Sequence, residues 1–219
     1  MKNYAKMIQL KNILVGFLVS FVGSIPLGYL NIVGFEIYSK FGINSLFFFL
    51  FGVMSVEVFV IYFTLIFANS LVNNKKLMKF IEIFAVFFLL IMAYSFYSHS
   101  KLTGTNQDYL SSYIAYSPFL IGVLLNCLNF LQVPFWTGWN LYLINSNYIL
   151  VDKNLKFYYI AGTLFGIFLG MLALILALHS ISQNSGSITQ YFMPVIIPLF
   201  FIGLALFQVY KVYKKYFKA

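Results

Sequence analysis

Long apolar runs leave a chain few ways to fold, and six of them, at about 12–35, 42–68, 80–97, 118–144, 157–180 and 190–210, make up most of this sequence. Each is close to the roughly 20 residues that a helix needs to cross a hydrocarbon layer. Lipid offers no partner to a backbone N–H or C=O, so runs of this kind predict α-helices, which satisfy those groups internally. Composition agrees. With 62% hydrophobic and 9% charged residues and a mean hydropathy of +0.89, a water-soluble domain would expose too much apolar surface. The expected fold is therefore an all-α integral membrane protein with six transmembrane helices and the lipid bilayer as its surroundings.

The charges orient such a bundle. Twelve of the fourteen lysines lie in the start, the second and fourth loops and the tail, against Lys40 and Lys101 in the loops of the other face. The positive-inside rule then puts both termini in the cytoplasm, and a bacterial inner membrane is the expected location. A net charge of +9 could suggest nucleic acid. These lysines, however, sit at the ends of apolar runs instead of forming a basic face, which argues against it. The lysine-rich start also fits a secretory signal, but the first run has spanning length and no A-x-A-like cleavage site. Cys127, alone in an apolar run, offers no disulfide or metal pair.

Two of the runs contain helix breakers. Gly23-Ser24-Ile25-Pro26-Leu27-Gly28-Tyr29-Leu30-Asn31 interrupts the first, and Pro134 with Gly138 interrupts the fourth. A proline inside a helix removes a hydrogen bond and clashes with the preceding turn. In a membrane this is tolerated where the break faces protein, water or a cavity, as at transporter sites. The two halves also match weakly: Asn31 precedes Gly52 by 21 residues and Asn140 precedes Gly162 by 22. Three spans per half make the repeat inverted. Residues 1–97 are then the first three-helix repeat, 98–117 an external linker and 118–219 the second repeat with a basic tail; the first and fourth helices are broken.

Glu57 is the one ionisable residue deep within a run, 16th of 27 residues, at a depth like that of Pro26 (15th of 24) and Pro134 (17th of 27). Burying a carboxylate there costs roughly 2.5 to 3.5 kcal/mol, so a proton or cation site is the functional reading and a packed, protonated acid the plain one. Helix ends at the two prolines would attract an anion, which with Glu57 suits a zwitterion; simple packing kinks are the alternative. The amides Asn31, Asn126, Asn129, Gln132 and Asn140, with Gly28 and Trp136, complete the candidate set. Asn126 and Asn129, three apart, are expected on one helix face, where amides also serve interhelical bonding. Gly162, Gly166 and Gly170 form a stripe for close helix approach within the fold or in a homodimer. No motif of a catalytic triad, zinc protease or phosphate loop occurs, so neither an enzyme nor a cofactor is expected.

Gly16-Phe17-Leu18 through Ile25-Pro26-Leu27-Gly28-Tyr29-Leu30-Asn31, Leu50-Phe51-Gly52-Val53-Met54-Ser55-Val56-Glu57, and Leu128-Asn129 with Phe135-Trp136 together resemble LysE/RhtB-type amino-acid exporters. Tyr29 stands where that family often has a second proline, Phe130 where a proline follows the asparagine, and Glu57 where aspartate is usual. The resemblance implies export of amino acids or related small solutes, driven by a coupling ion. Alternating access would turn on Pro26, Asn31, Glu57, Asn129 and Pro134. The competing reading is a non-transporting membrane subunit that holds a partner protein through its helix surface.

Overall fold

Helix ends, more than helix interiors, decide this architecture. The computed structural model describes residues 2–24, 28–102, 117–152, 154–184, 195 and 197–216. They form α1 (Lys2–Ser24), α2 (Tyr29–Asn73), α3 (Lys75–Leu102), α4 (Pro118–Cys127), α5 (Gln132–Asn145), α6 (Leu155–Asn184) and α7 (Ile197–Tyr216), with no strand among the described residues. The all-helical expectation holds. Three stretches, Lys6–Ser24, Tyr29–Ala68 and Leu155–Ser182, are long and apolar enough to cross a membrane, and the pair α4 and α5, bent by 71°, adds a fourth where the two are counted as one span. Residues 80–97 lie inside α3. Of the run 190–210, residues 190–194 and 196 lie outside the described residues, as do 103–116 of the linker.

At 45 residues α2 is too long for one crossing, and Gly42 (φ 76°, ψ −173°) divides it. That conformation is essentially restricted to glycine. The connection expected at 36–41 is instead helical up to this corner. Nothing in those residues breaks a helix: Glu36 and Lys40 form an i,i+4 ion pair at 3.3 Å, and Ile37 is fully buried. Asn74 separates α2 from α3 and caps the latter, its Oδ1 accepting from the Leu77 N–H at 3.0 Å.

The first break falls where the glycine-proline stretch puts it, between Ser24 and Tyr29, with Pro26 itself outside the described residues. The second falls earlier than Pro134. Residues 128–131 form a turn, with the Phe130 N–H donating to the Leu128 carbonyl at 2.9 Å. Pro134 is the third residue of α5, in the first turn, where a missing N–H has no helical partner to lose. Gly138 lies inside α5 without interrupting it.

Glycines set the pairing of helices. Along α6, an added Cβ at Gly162, Gly166 or Gly170 would meet the backbone of Ile13, Phe17 or Phe21, so α1 and α6 run parallel in close contact and the stripe is used within the chain. A Cβ at Gly52 would overlap the Phe119 carbonyl, and one at Gly122 would overlap that of Phe49, which joins α4 to α2 beyond Gly42. The third pair, α3 with α7, is antiparallel and tied at one end by Lys215 and Glu82, 2.7 Å apart. Asn12 of α1, fully buried, donates to the carbonyls of Leu150 (2.7 Å) and Leu155 (2.9 Å) and fixes α1 to the start of α6. Phe49, Leu46, Ile61, Tyr159, Ile175 and Phe201 are among the fully buried side chains between these pairs.

Candidate functional site

Glu57 is 6% exposed, and both its oxygens accept hydrogen bonds from the second half of the chain. Asn126 Nδ2, near the end of α4, donates to Oε2 at 2.9 Å, and Trp136 Nε1 on α5 donates to Oε1. One N–H donor on each oxygen fixes the orientation of the acid. Asn126 Nδ2 also reaches the Val53 carbonyl at 2.8 Å, and Gln132 Nε2 donates to the Asn126 backbone carbonyl at 3.1 Å. The bend between α4 and α5 thus lets two successive helices address one acid. A straight helix would carry Trp136 about 15 Å along its axis from Asn126, at 1.5 Å per residue.

Beside Glu57 lies a cavity of about 500 Å³. Gly28, Asn31, Glu57, Asn129, Gln132, Pro134 and Trp136, all expected at the site, line it. Gly23 and Ser24 at the end of α1 and Tyr29 at the start of α2 bring the first break to the same space. Asn31 Nδ2 donates to the Ser24 carbonyl at 3.0 Å across that break, and the Gly28 carbonyl accepts from the Asn31 N–H at 3.0 Å. Tyr29 links the breaks directly, its hydroxyl donating to the Leu125 carbonyl at 2.6 Å. The rest of the wall includes Leu89 of α3, Met171 of α6, and Gln208 and Lys211 of α7.

Some expectations change. Asn126 and Asn129 do not share a helix face, because α4 ends at Cys127 and Asn129 sits in the turn. Asn140 is outside the cavity lining. It is fully buried, donates to Thr64 Oγ1 at 3.1 Å and accepts from the Tyr159 hydroxyl at 2.8 Å, tying α5 to α2 and α6. The start of α5 does not offer the expected anion cradle. Its N–H groups at Gln132, Val133 and Phe135 are bonded to the carbonyls of Asn129, Phe130 and Leu131, and Pro134 has none.

Tyr29, Gln208 and Lys211 are lining residues that the sequence reading passed over. Tyr29 was legible as a polar group beside the break, whereas Gln208 and Lys211 lie in the last span and tail, where only the fold brings them near Glu57. No protein-family model, curated protein or solved structure matches this chain.

Proposed function

We propose that this chain is a secondary transporter that moves a small solute by alternating access across a bacterial inner membrane, coupled to an ion at Glu57. The observation that carries the reading is a buried carboxylate at the wall of one cavity that both helix breaks line. Intramembrane acids are costly and mark solute or ion pathways, and broken helices meeting at such a cavity are the construction of transporters with inverted repeats.

Helix pairing supports the repeat. Exchanging the halves turns the parallel pair of α1 with α6 into the parallel pair of α4 with the later part of α2, and both rest on glycines, Gly162 and Gly52. The pair α3 with α7 maps onto itself. In this reading the two breaks belong to the first and fourth of six spans, and the lysine-rich ends face the cytoplasm. The resemblance to LysE/RhtB-type exporters suggests efflux.

The test is flux in proteoliposomes loaded with a panel of amines, amino acids and inorganic cations under an imposed proton gradient. The wild-type protein is expected to move at least one solute, and Glu57→Gln, inserted at equal level, to lose that flux. Unchanged flux in the variant would remove Glu57 from the mechanism, and no flux of any solute would overturn the proposal.

A further inference from the structure

Glu57 and Gln132 leave acceptor positions open at the wall of the cavity. A carboxylate offers about four lone-pair positions, and the donors described for Glu57 are Asn126 and Trp136. Gln132 lines the same space, is buried, and has an Oε1 that accepts no hydrogen bond among the described residues; Asn126, outside the lining but bonded to Glu57, is buried with an Oδ1 that likewise accepts none among them. Partners fix the orientation of both amides. Asn126 Nδ2 faces a carbonyl and a carboxylate, and Gln132 Nε2 faces a carbonyl, all of which can only accept. The oxygens are therefore the ends left without partners.

Nothing equivalent serves an anion at the second break, where the first N–H groups of α5 are already bonded. Lys211 is the cation in the wall, and it is exposed near the end of α7, where water and salt screen it. The remaining wall includes Leu89, Met171, Phe135 and Phe201, with the rings of Tyr29 and Trp136. A volume of about 500 Å³ is far more than a bare ion needs and falls within the usual range for organic ligands.

We infer that the cavity takes a primary organic ammonium ion with an apolar or aromatic body and no carboxylate. Its –NH₃⁺ group brings three donors and a positive charge to Glu57 and Gln132, and its body covers the apolar wall, with the aromatic faces adding attraction for the cation. This names the substrate class of the transporter proposed above and rests on that reading.

The experiment is calorimetric titration of the full chain in lipid nanodiscs with phenethylamine, phenylpropionate, phenylalanine and sodium chloride, without any gradient. Phenethylamine is expected to bind, phenylpropionate not to bind, and phenylalanine to bind at least about tenfold more weakly. Glu57→Gln and Gln132→Leu should each weaken phenethylamine by about tenfold, the loss of one charge-assisted hydrogen bond. If Glu57→Gln does not fold, Gln132→Leu decides.

Phenylalanine or phenylpropionate binding as tightly as the amine overturns the inference. So does sodium alone competing with the amine at equal concentration, or amine affinity unchanged in the folded variants. Amine binding without gradient-driven flux would support the inference while sinking the transporter reading. Flux of another solute class without amine binding would sink the inference alone.

Discussion

Asn126 holds together more at this site than any other amide, since one Nδ2 bonds both the Val53 carbonyl and the Glu57 carboxylate. Asn126→Leu leaves both acceptors buried without that donor, a loss of about 1 to 3 kcal/mol. Asn129, half-buried in the turn, should tolerate Asn129→Ala within about 0.5 kcal/mol. Thermal unfolding in detergent measures the ranking, and equal losses would contradict it. Beyond the expected sixth span, Lys215 forms a second charged contact, to Glu82, which is 1% exposed. Burial lowers the lysine's pKa, but hydrogen bonding and charge from Glu82 and Tyr216 together outweigh that and the net direction is upward. A raised lysine contributes stability below its ordinary value and loses it as pH rises through the folded one. The tie is therefore expected to be intact at neutral pH and to weaken only in the strongly alkaline range. Lys215→Met should abolish that alkaline dependence in the unfolding profile; an unaltered profile would show the pair to be without effect.

Gly42 is the element-scale counterpart, the one positive-φ glycine among the described residues. An added Cβ there would meet nothing within 4 Å, so Gly42→Ala isolates backbone strain, with an expected cost of about 1 to 3 kcal/mol. Gly203 in α7 has the same open surroundings but helical geometry, and Gly203→Ala should stabilise by about 0.5 to 1 kcal/mol. Unfolding temperatures shifting in opposite directions would bear this out, and a shared direction would refute it. The same comparison shows what the sequence could reveal. Apolar runs made helices legible, because their length leaves lipid-exposed backbone no alternative. Breaks were harder to place, since Pro134 is harmless in a first turn and the bend comes from the turn at 128–131. Glu36 through Phe41 read as a loop on polarity alone, yet Glu36 is paired with Lys40 on a helix. Within the site, Glu57 stood out because a deep carboxylate is costly. Thr64 did not, because a hydroxyl on an apolar helix can bond to its own backbone, as it does to the Val60 carbonyl, and carries no long-range signal.

At the scale of the whole molecule the cavity has one end that the helix directions identify. The start of α3 meets the end of α7 through Glu82 and Lys215, and the start of α6 meets α2 through Lys156 over Tyr62, so these termini share one face. Gln208 and Lys211 carry the cavity wall toward it. Toward the far end of α6 the packing is of another kind: the His179 ring stands 4.6 Å from that of Tyr38, and its Nδ1 is 3.2 Å from Ser39 Oγ. For the transporter proposed above, this arrangement is the one expected of a state open toward the face of Gln208 and Lys211. That asymmetry can be read with thiol chemistry, since Cys127 is the single native cysteine and Cys127→Ser removes it. On that background Gln208→Cys and Met171→Cys, introduced one at a time, should react with a membrane-impermeant thiol reagent added on the side of the basic tail. Both should resist the same reagent added on the opposite side. An opposing solute gradient that drives the other state should slow the first reaction and speed the second. Equal labelling from both sides would mean an open pore, and labelling from the far side alone would reverse the assignment of the open end.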